Sequence, residues 1–378
     1  MVLLHLQKAF DTVDHKVLCE KLKLVGVGCP EWFLSYISNR KQFVTIDDSN
    51  SNFGSVTCGV PQGSILGPLL FLIYINDLPI SVTCKLLLYA DDSALLVRGK
   101  DASIIASTLS KNLSSCKNWL VDNKLSLHLG KTEAILFGTK RKLKNVDEFN
   151  VKCDDVIIKS VKSVKYLGLM IDENLSGVDI VSNILKKSSG RLKFLYRYAN
   201  ILNTNSRKIL CSALIQCHFD YSSSSWYSGI NKTLKKKLQI MQNKVIRFIL
   251  NLDNRTHIGC DELEKVNMLK VVDRVTQNKL NHVYRIWNGI SPSYLKENFN
   301  RICDTELRQC TRSSLNNFFL PRVNNQAVNT FFYSGIKNWN SLPTKIKEIQ
   351  TFDLFKTEVK RNLSLEARNT EECPFLFF

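Results

Sequence analysis

The sequence predicts an α+β fold, in which an antiparallel sheet backed by helices is followed by two mostly helical regions. Up to about residue 175, short strand-like runs alternate with helical patterns. From residue 176 onward, apolar residues recur at spacings of three and four, and few strand patterns stand out. We therefore divide the chain into residues 1–175, 176–250 and 251–378. With 378 residues and 44% hydrophobic content, two or three domains with real cores are expected.

The first region mixes strands with four helices. Its clearest helix is predicted over Ala102–Asp122, where an apolar stripe marks one buried face behind the sheet. The stripe consists of Ile105, Leu109, Leu113, Cys116 and Leu120. The other predicted helices lie near Val13–Val25, Glu31–Ser38 and Leu69–Asn76. The predicted strands lie near Val2–Leu6, Gln42–Ile46, Val56–Cys58, Lys85–Tyr89, Ala94–Val97, Ala134–Phe137, Val156–Ile158 and Tyr166–Ile171.

Two basic helices are predicted in the second region. The first covers the basic and aromatic stretch from Lys186 to Tyr198. The second carries an apolar stripe that we predict to be core, formed by Leu234, Leu238, Met241, Val245 and Phe248. Its basic positions are Lys235, Lys236, Lys237, Lys244 and Arg247. These side chains are either the solvated face of an amphipathic helix or contacts to the phosphates of a nucleic-acid duplex.

The third region has no residue types that demand a catalytic role. Its aromatic tracts Trp287–Pro292 and Ile336–Pro343 end in Gly or Pro turns, and large aromatics there are most simply packing anchors. The apolar end, Pro374–Phe378, either docks on the fold or is a non-native extension.

The tetrapeptide Tyr89-Ala90-Asp91-Asp92 is the most informative motif of the chain. It lies at the tip of a predicted hairpin, between the apolar runs Leu86–Leu88 and Ala94–Val97. Such strands would hold two carboxylates rigidly at one end of a sheet, where they could bind divalent cations through oxygen. An acidic surface turn is the alternative, since short motifs also match by chance.

A glycine- and proline-rich loop precedes this hairpin. Gly59-Val60-Pro61-Gln62-Gly63-Ser64-Ile65-Leu66-Gly67-Pro68 leads into an apolar run that we predict to be a buried helix. Gly59 and Gly63 permit close backbone approach to a ligand, and Pro61 stiffens the turn.

Together these motifs resemble those of reverse transcriptases. The loop resembles their motif B, and Tyr89–Asp92 resembles motif C. Leu6–His15 looks like the downstream part of motif A, Asn123–Leu127 with Gly130-Lys131-Thr132 looks like motif D, and Val164–Gly168 resembles motif E. The five matches occur in family order over about 170 residues, so the chain is identified as similar to non-LTR retrotransposon reverse transcriptases of the jockey, CR1 and RTE groups.

The resemblance implies a polymerase palm over residues 1–175, without the fingers, then a helical thumb over 176–250 and a helical region over 251–378. Asp91 and Asp92 are implied as catalytic residues and metal ligands in a two-metal transfer that uses Mg²⁺, with Mn²⁺ as an alternative. Phe10 corresponds to the steric gate against the ribose 2′-hydroxyl, although a phenylalanine that only packs would look the same. Gln62 and Gly63 would line the template and nucleotide site, and Lys131 would lie near the triphosphate. The implied partners are an RNA template, a DNA primer and deoxynucleoside triphosphates.

One position departs from the family pattern. Motif A supplies a third metal-binding carboxylate at the place where this chain has His5. Mg²⁺ prefers hard oxygen ligands, whereas a neutral imidazole offers a softer nitrogen and removes a negative charge. We therefore expect His5 to be a poor magnesium ligand and catalysis to be impaired. Asp11 is not expected to replace the missing carboxylate, because it falls at a predicted helix start, where acidic side chains cap backbone N–H groups.

Composition points to an intracellular protein, nuclear or cytoplasmic, with a polyanionic partner. Basic residues outnumber acidic ones by 52 to 34, giving a net charge of +18, which suits phosphate contacts and counterion release.

The 12 cysteines show no finger-type spacing, and Cys303, Cys310 and Cys373 lack the histidine of a zinc knuckle. Zinc is therefore not predicted, and the thiols are expected to be reduced. The longest apolar run is too short for a membrane span of about 20 residues.

Two function classes remain open. The first is an RNA-directed DNA polymerase; the second is a non-catalytic nucleic-acid-binding remnant or inert fragment of a decayed element. Only four residues precede His5, so we expect the chain to be amino-terminally truncated, without the fingers region or an endonuclease. His5 is the residue that discriminates between the two classes.

Overall fold

The computed structural model describes residues 1–146, 148–304, 316–323 and 327–372. Within these residues the chain is a mixture of helices and small sheets, which confirms the α+β class. It divides into two compact units, Met1–Asn174 and Leu175–Phe378. The further division of the second unit at residue 250 stays a prediction.

All strands of the described residues lie in the first unit. They are β1 (Val2–His5), β2 (Lys41–Gln42), β3 (Thr45–Ile46), β4 (Ser49–Asn50), β5 (Gly54–Ser55), β6 (Lys85–Tyr89), β7 (Asp92–Leu96), β8 (Glu133–Ala134), β9 (Lys152–Cys153), β10 (Val156–Ile157), β11 (Lys159–Ser160), β12 (Ser163–Tyr166) and β13 (Leu169–Asp172). Five of them form one sheet in the order β11-β8-β1-β7-β6. In that sheet β1 is antiparallel to both β7 and β8, β6 is antiparallel to β7, and β11 runs parallel to β8.

Side chains of the sheet alternate between two buried faces, as the period of two in a strand requires. Val2, Leu4 and Leu95 belong to the larger core, which also contains helix residues. Leu3 and Ala94 point to the opposite face, where they belong to a smaller cluster. The sheet is therefore covered on both faces. Because a shift of one residue would expose the buried side chains, this burial fixes the pairing register of β1 and β7.

Four α-helices of the first unit contribute to the larger core. They are α1 (His15–Leu24), α2 (Pro30–Ile37), α3 (Leu66–Ile75) and α4 (Ala102–Asp122). A short helix, α5 (Lys140–Lys144), has no buried residue, and 3₁₀ turns lie at Leu78–Ser81 and Leu129–Lys131. The bounds of α4 match the prediction, because Asp101 caps the N–H groups of Ser103 and Ile104 and the predicted stripe is buried. The other predicted helices are also present, shifted by up to three residues.

Three predicted strands were wrong, and a fourth, Ala134–Phe137, is a strand only at Ala134. The predicted Gln42–Ile46 strand is interrupted at Phe43 and Val44 and contributes to two small hairpins. Val56–Cys58 is not a strand. Tyr166–Ile171 is not one strand but the end of β12, a turn and the start of β13, because Leu167 and Gly168 both have positive φ angles, of 45° and 82°.

The second unit is helical throughout its described residues. Its α-helices are α6 (Val178–Tyr196), α7 (Thr204–Cys211), α8 (Cys217–Asp220), α9 (Ser223–Trp226), α10 (Lys232–Leu250), α11 (Cys260–Lys265), α12 (Val271–Trp287), α13 (Ser293–Lys296), α14 (Phe331–Ser341), α15 (Thr344–Lys347) and α16 (Phe352–Glu372). A π-helical turn, Ser212–Gln216, joins α7 to α8, and 3₁₀ turns lie at Ala199–Ile201, Tyr227–Gly229, Ile302–Asp304 and Ala327–Asn329.

The core of this unit confirms the predicted apolar positions. All five residues of the α10 stripe are buried. Trp339 is fully buried among aromatic neighbours, with ring centroids 5.5 Å from Trp287 and 5.9 Å from Phe355. The two tryptophans are therefore packing anchors, as predicted.

Some predictions concern residues at the margins of the described structure. No disulfide joins the ten cysteines that the structure describes. Cys310, Cys373 and Pro374–Phe378 lie outside the described residues. Among the described helices, none combines the length and the apolar character that a membrane span requires.

Candidate active site

Asp91 lies in the tight turn between β6 and β7, and Asp92 is the first residue of β7. Tyr89 pairs directly with Asp92, so only Ala90 and Asp91 form the turn. Ala90 has a φ of 52°, a left-handed conformation that costs a residue with a side chain free energy. Both carboxylates are exposed at the end of a hairpin whose strands are anchored by buried Ala94 and Leu95. The turn therefore presents two adjacent carboxylates to solvent from a fixed support.

His5 lies directly opposite this pair. In the register of β1 and β7, His5 pairs with Asp92 and Leu3 pairs with Ala94. Directly opposed residues of an antiparallel pair place their side chains on the same face of the sheet. The His5 carbonyl oxygen accepts a hydrogen bond from the His128 N–H at 2.8 Å, and the two imidazole rings lie 6.0 Å apart. The third position of the predicted site therefore carries imidazole rather than carboxylate.

The donor set fits one hard cation better than two. Magnesium is often held by one or two carboxylates together with water and substrate phosphates, and Asp91 and Asp92 can supply that pair. Across the described ranges, no cluster of three or more His, Cys, Asp or Glu side chains could hold a metal ion. A site for two bridged cations would need a further oxygen donor, which His5 cannot provide.

Tyr166 is a neighbour of the site that sequence reasoning did not single out. It is half-buried at the end of β12, on the smaller core face of the sheet. Burial raises the pKa of its phenol, and the charge of Asp92 raises the pKa further. The hairpin of β12 and β13 therefore brings an aromatic side chain near the second carboxylate. Its only sequence signal is its place in the motif E string.

The glycine-rich loop docks on the segment that follows β1. The Gly59 N–H donates to the Val13 carbonyl at 2.7 Å, and the Val60 N–H donates to the Phe10 carbonyl at 2.8 Å. Gly59 has a φ of 89°, and a Cβ there would lie 2.7 Å from the Asp11 carbonyl oxygen. Only glycine permits this approach, which is to the chain's own backbone and not to the ligand that the sequence led us to expect.

Asp11 has a role that the sequence analysis assigned wrongly. The following helix begins at His15, and its N-cap is Asp14, whose carboxylate accepts from the Lys16 and Val17 N–H groups. Asp11 instead accepts a 2.7 Å hydrogen bond from the Gln62 side-chain amide. It therefore orients the glutamine that the resemblance assigns to the template and nucleotide site.

A cavity of about 780 Å³ adjoins this hydrogen bond. Its lining includes Lys8, Asp11, Arg40, Lys41 and Gln62, together with the backbone of the loop. Three of these five side chains are cationic, so the cavity suits an anionic ligand.

The other predicted nucleotide contacts have different surroundings. The half-buried Phe10 ring packs on Phe71, with ring centroids 4.5 Å apart, so it has a packing role whatever else it does. Gly63 is exposed with a φ of 77°. Lys131 is exposed at the end of a 3₁₀ turn that follows His128.

The five basic residues of α10 do not share one environment. Lys235 is half-buried, with its ammonium 5.2 Å from the Tyr227 ring centre, and burial lowers its pKa. The Arg247 Nε–H donates to the Thr256 carbonyl at 2.8 Å. The remaining three, Lys236, Lys237 and Lys244, are exposed.

The chain is similar to known proteins. Residues 1–171 match the family described as reverse transcriptase, or RNA-dependent DNA polymerase. The chain is 26% identical over 261 residues to the RNA-directed DNA polymerase from mobile element jockey of Drosophila melanogaster, and 26% identical over 258 residues to its namesake from Drosophila funebris. Each alignment covers 65% of this chain and 28% of the relative.

A further relative is the retrovirus-related Pol polyprotein from type-1 retrotransposable element R1 of Nasonia vitripennis. It is 26% identical over 196 residues, which cover 49% of this chain and 57% of that protein. Residues 1–171 therefore match the reverse transcriptase domain. The similarity to non-LTR retrotransposon reverse transcriptases is confirmed, while the chain spans little more than a quarter of the jockey proteins that it matches.

Proposed function

We propose that this chain provides the polymerase core of a non-LTR retrotransposon reverse transcriptase, which adds deoxynucleotides to a DNA primer on an RNA template. The observation that carries the proposal is the Asp91-Asp92 turn at the edge of a doubly covered sheet, within the residues that match the reverse transcriptase family. An acidic surface turn has no need of strands buried on both faces.

Asp91 and Asp92 are the proposed catalytic residues and metal ligands. They would hold magnesium, with manganese as a substitute. When bound, such a cation supplies positive charge that stabilises the developing charge of phosphoryl transfer. Residues 1–175 would then act as the palm.

The segment after β1 and the glycine-rich loop would bind the incoming deoxynucleoside triphosphate. Gln62, oriented by Asp11, and Gly63 would line the base and template side, and Phe10 would crowd a ribose 2′-hydroxyl. Lys131 would contribute positive charge toward the triphosphate. The cationic lining of the 780 Å³ cavity supports a phosphate-bearing ligand on this side of the unit.

His5 limits the rate that this site can reach. A carboxylate opposite Asp92 would add an oxygen donor and a negative charge, and imidazole supplies neither. We propose that the chain is therefore an impaired polymerase.

The second unit would bind the primer–template duplex. Of its charged residues, 31 are basic and 16 are acidic, so it carries most of the net charge. We propose residues 176–250 as a thumb, with Lys236, Lys237 and Lys244 of α10 contacting phosphates. Lys235 and Arg247 would add to the positive electrostatic potential of α10 without contacting phosphates directly. The Lys235 ammonium already lies against the Tyr227 ring, and the Arg247 guanidinium already donates to the Thr256 carbonyl.

Primer extension by the purified chain tests the proposal. The assay uses an RNA template, deoxynucleotides and magnesium or manganese, and Asp91→Ala serves as the matched variant. Extension by the unmodified chain that this substitution abolishes supports the polymerase. Extension that survives Asp91→Ala would place the activity elsewhere and would overturn the proposal.

A second candidate function is a nucleic-acid-binding protein without catalysis. The specific observation in its favour is His5 opposite Asp92. Duplex binding without extension, in magnesium and in manganese, supports this candidate.

A further inference from the structure

Two neighbouring cavities of the second unit share a cationic wall. One has a volume of about 270 Å³ and is lined by Lys208, Arg274 and Lys360 among others. The other has a volume of about 450 Å³ and is lined by Arg274, Lys356 and Lys360. Because Arg274 and Lys360 line both cavities, the two form one depression, which we call the Lys360 groove. Its four cations come from α7, α12 and α16.

The four cations are close enough to act on one another. Burial lowers the pKa of the Lys360 ammonium, and the neighbouring charges of Arg274, Lys208 and Lys356 lower it further. Lys360 donates to the Asn267 carbonyl oxygen at 2.6 Å, and this neutral partner offsets none of the charge. The fold therefore assembles mutually repelling positive charges, which costs free energy in the free protein.

The acidic residues of the groove compensate for this charge only in part. Asp220 accepts two hydrogen bonds from Arg274, at 3.0 and 2.9 Å, and is committed to that pair. Asp353 is the other acidic residue in the lining. Within the described residues, neither Lys208 nor Lys356 forms an ion pair. The groove thus has two more cations than anions and two lysines ready to pair with a ligand.

We propose that the Lys360 groove binds backbone phosphates of a nucleic-acid strand, with Lys208 and Lys356 as its direct contacts and Lys360 as the charge between them. This inference rests on the proposed function, since it extends the nucleic-acid surface from α7 of the proposed thumb to α12 and α16 beyond it. Lysine recognises phosphate as a point charge, without the planar geometry that a guanidinium would impose. Repeated phosphates along a strand match several separated ammonium groups better than a single carboxylate does.

The test is the salt dependence of duplex binding by the full chain. The Lys208→Glu/Lys356→Glu variant is compared with Lys296→Glu/Lys345→Glu, which reverses two exposed lysines of the same unit outside the groove. Both variants change net charge equally. Binding of an RNA–DNA hybrid is measured by fluorescence anisotropy over a series of salt concentrations. We expect the slope of log K against log salt to flatten by about 2 for the groove variant relative to the control.

A second measurement observes the groove directly. The pKa of Lys360 is followed by NMR of lysine-labelled protein, with Lys360→Gln to assign the signal. It should rise when the hybrid binds and should not rise with inorganic phosphate at the same phosphate concentration. An equal rise with inorganic phosphate would overturn the assignment to a strand.

The outcomes separate this inference from the proposed function. If the unmodified chain binds the hybrid but both double variants have the same slope and Lys360 does not respond, the groove proposal is overturned and the polymerase proposal stands. If the unmodified chain binds no hybrid, nucleic-acid binding itself is overturned. Thermal unfolding of each variant checks that the substitutions leave the fold intact, including the one at half-buried Lys208.

Discussion

The two units of this chain differ in where they carry charge and where they carry motifs. Met1–Asn174 has 21 basic and 18 acidic residues, and it contains the five strings that resemble reverse transcriptase motifs. Leu175–Phe378 has 31 basic and 16 acidic residues and contains none of them. The first unit is thus nearly balanced in charge, while the second carries most of the surplus. We infer that chemistry and nucleic-acid binding are divided between them.

Buried lysines show the same difference. In the first unit, Lys21 donates to the Asp77 carboxylate at 2.6 Å and lies 4.5 Å from the Trp119 ring centre. In the second unit, Lys279 is 4% exposed, and its ammonium donates to the hydroxyls of Ser228 and Ser334. No carboxylate among the described residues pairs with Lys279. The charge of Lys21 is therefore balanced by a carboxylate, whereas the charge of Lys279 is hydrogen-bonded only to neutral hydroxyls.

The largest expected effect comes from truncating the core of the second unit. Trp339→Ala should lower the free energy of unfolding of that unit by about 3–5 kcal/mol, because it removes a fully buried ring. Denaturant unfolding measures the decrease. Duplex binding should weaken, while manganese binding at Asp91 and Asp92 should not change. A parallel decrease in manganese binding would contradict the division of functions.

The buried lysines should respond in opposite ways to the same substitution. Lys21→Met removes the partner of Asp77 and should cost about 1–3 kcal/mol. Lys279→Met should stabilise the chain at neutral pH, because burial and the charge of Lys235 lower the pKa of Lys279 to about 8. In the unfolded chain this lysine has its ordinary pKa of 10.5, so the unfolded chain binds more protons than the folded chain between these two pH values.

The titration of Lys279 should therefore contribute a rise in stability from about pH 8 to about pH 10.5, by up to about 3 kcal/mol. Lys279→Met should lack this rise. Urea unfolding across that pH range measures the difference, and Lys345→Met, at an exposed lysine of the same unit, is the matched control. Identical pH profiles for Lys279→Met and the unmodified chain would contradict the account.

The charge difference between the units predicts a difference in duplex binding. Reversing Lys236, Lys237 and Lys244 together should flatten the salt slope by about 3, one for each phosphate that these lysines no longer neutralise. The matched control reverses three exposed lysines of the first unit, Lys23, Lys100 and Lys111, and should have a smaller effect. Equal slopes for the two triple variants would mean that these lysines of α10 form a solvated helix face and do not contact phosphates.

A smaller change concerns the metal site. His5→Asp places a carboxylate opposite Asp92 and should tighten manganese binding by about tenfold, or about 1.4 kcal/mol. Electron paramagnetic resonance of free manganese measures this without requiring catalysis. His5→Asn, which adds an oxygen without charge, is the control. Unchanged affinity would mean that position 5 does not face the bound cation.

The smallest expected effect lies in the turn itself. Ala90→Gly relieves the left-handed conformation and should raise the free energy of unfolding by about 0.5–1 kcal/mol, after the entropy that glycine adds to the unfolded chain. Ala94→Gly, in the buried part of the same hairpin, should be destabilising instead. Thermal unfolding of both variants decides whether Ala90 is strained.

Local signals predicted much of the fold. The helix over Ala102–Asp122 was predicted to the residue because its N-cap, Asp101, and its apolar stripe both lie within one short segment of the chain. The strand predicted at Tyr166–Ile171 failed because a continuous apolar run concealed a turn with two positive φ angles. Asp11 was mistaken for a helix cap because its real partner, Gln62, lies 51 positions away.

The sequence by itself determined the family, the adjacent carboxylates and the absence of an acid at position 5, because each of these is a matter of residue identity and spacing along a short segment. Only the tertiary structure decided which groups meet across long separations. It set His5 opposite Asp92, Gln62 on Asp11, and cations of three helices around one groove. Such contacts depend on strand register and helix packing, which are properties of the assembled cores rather than of any local pattern.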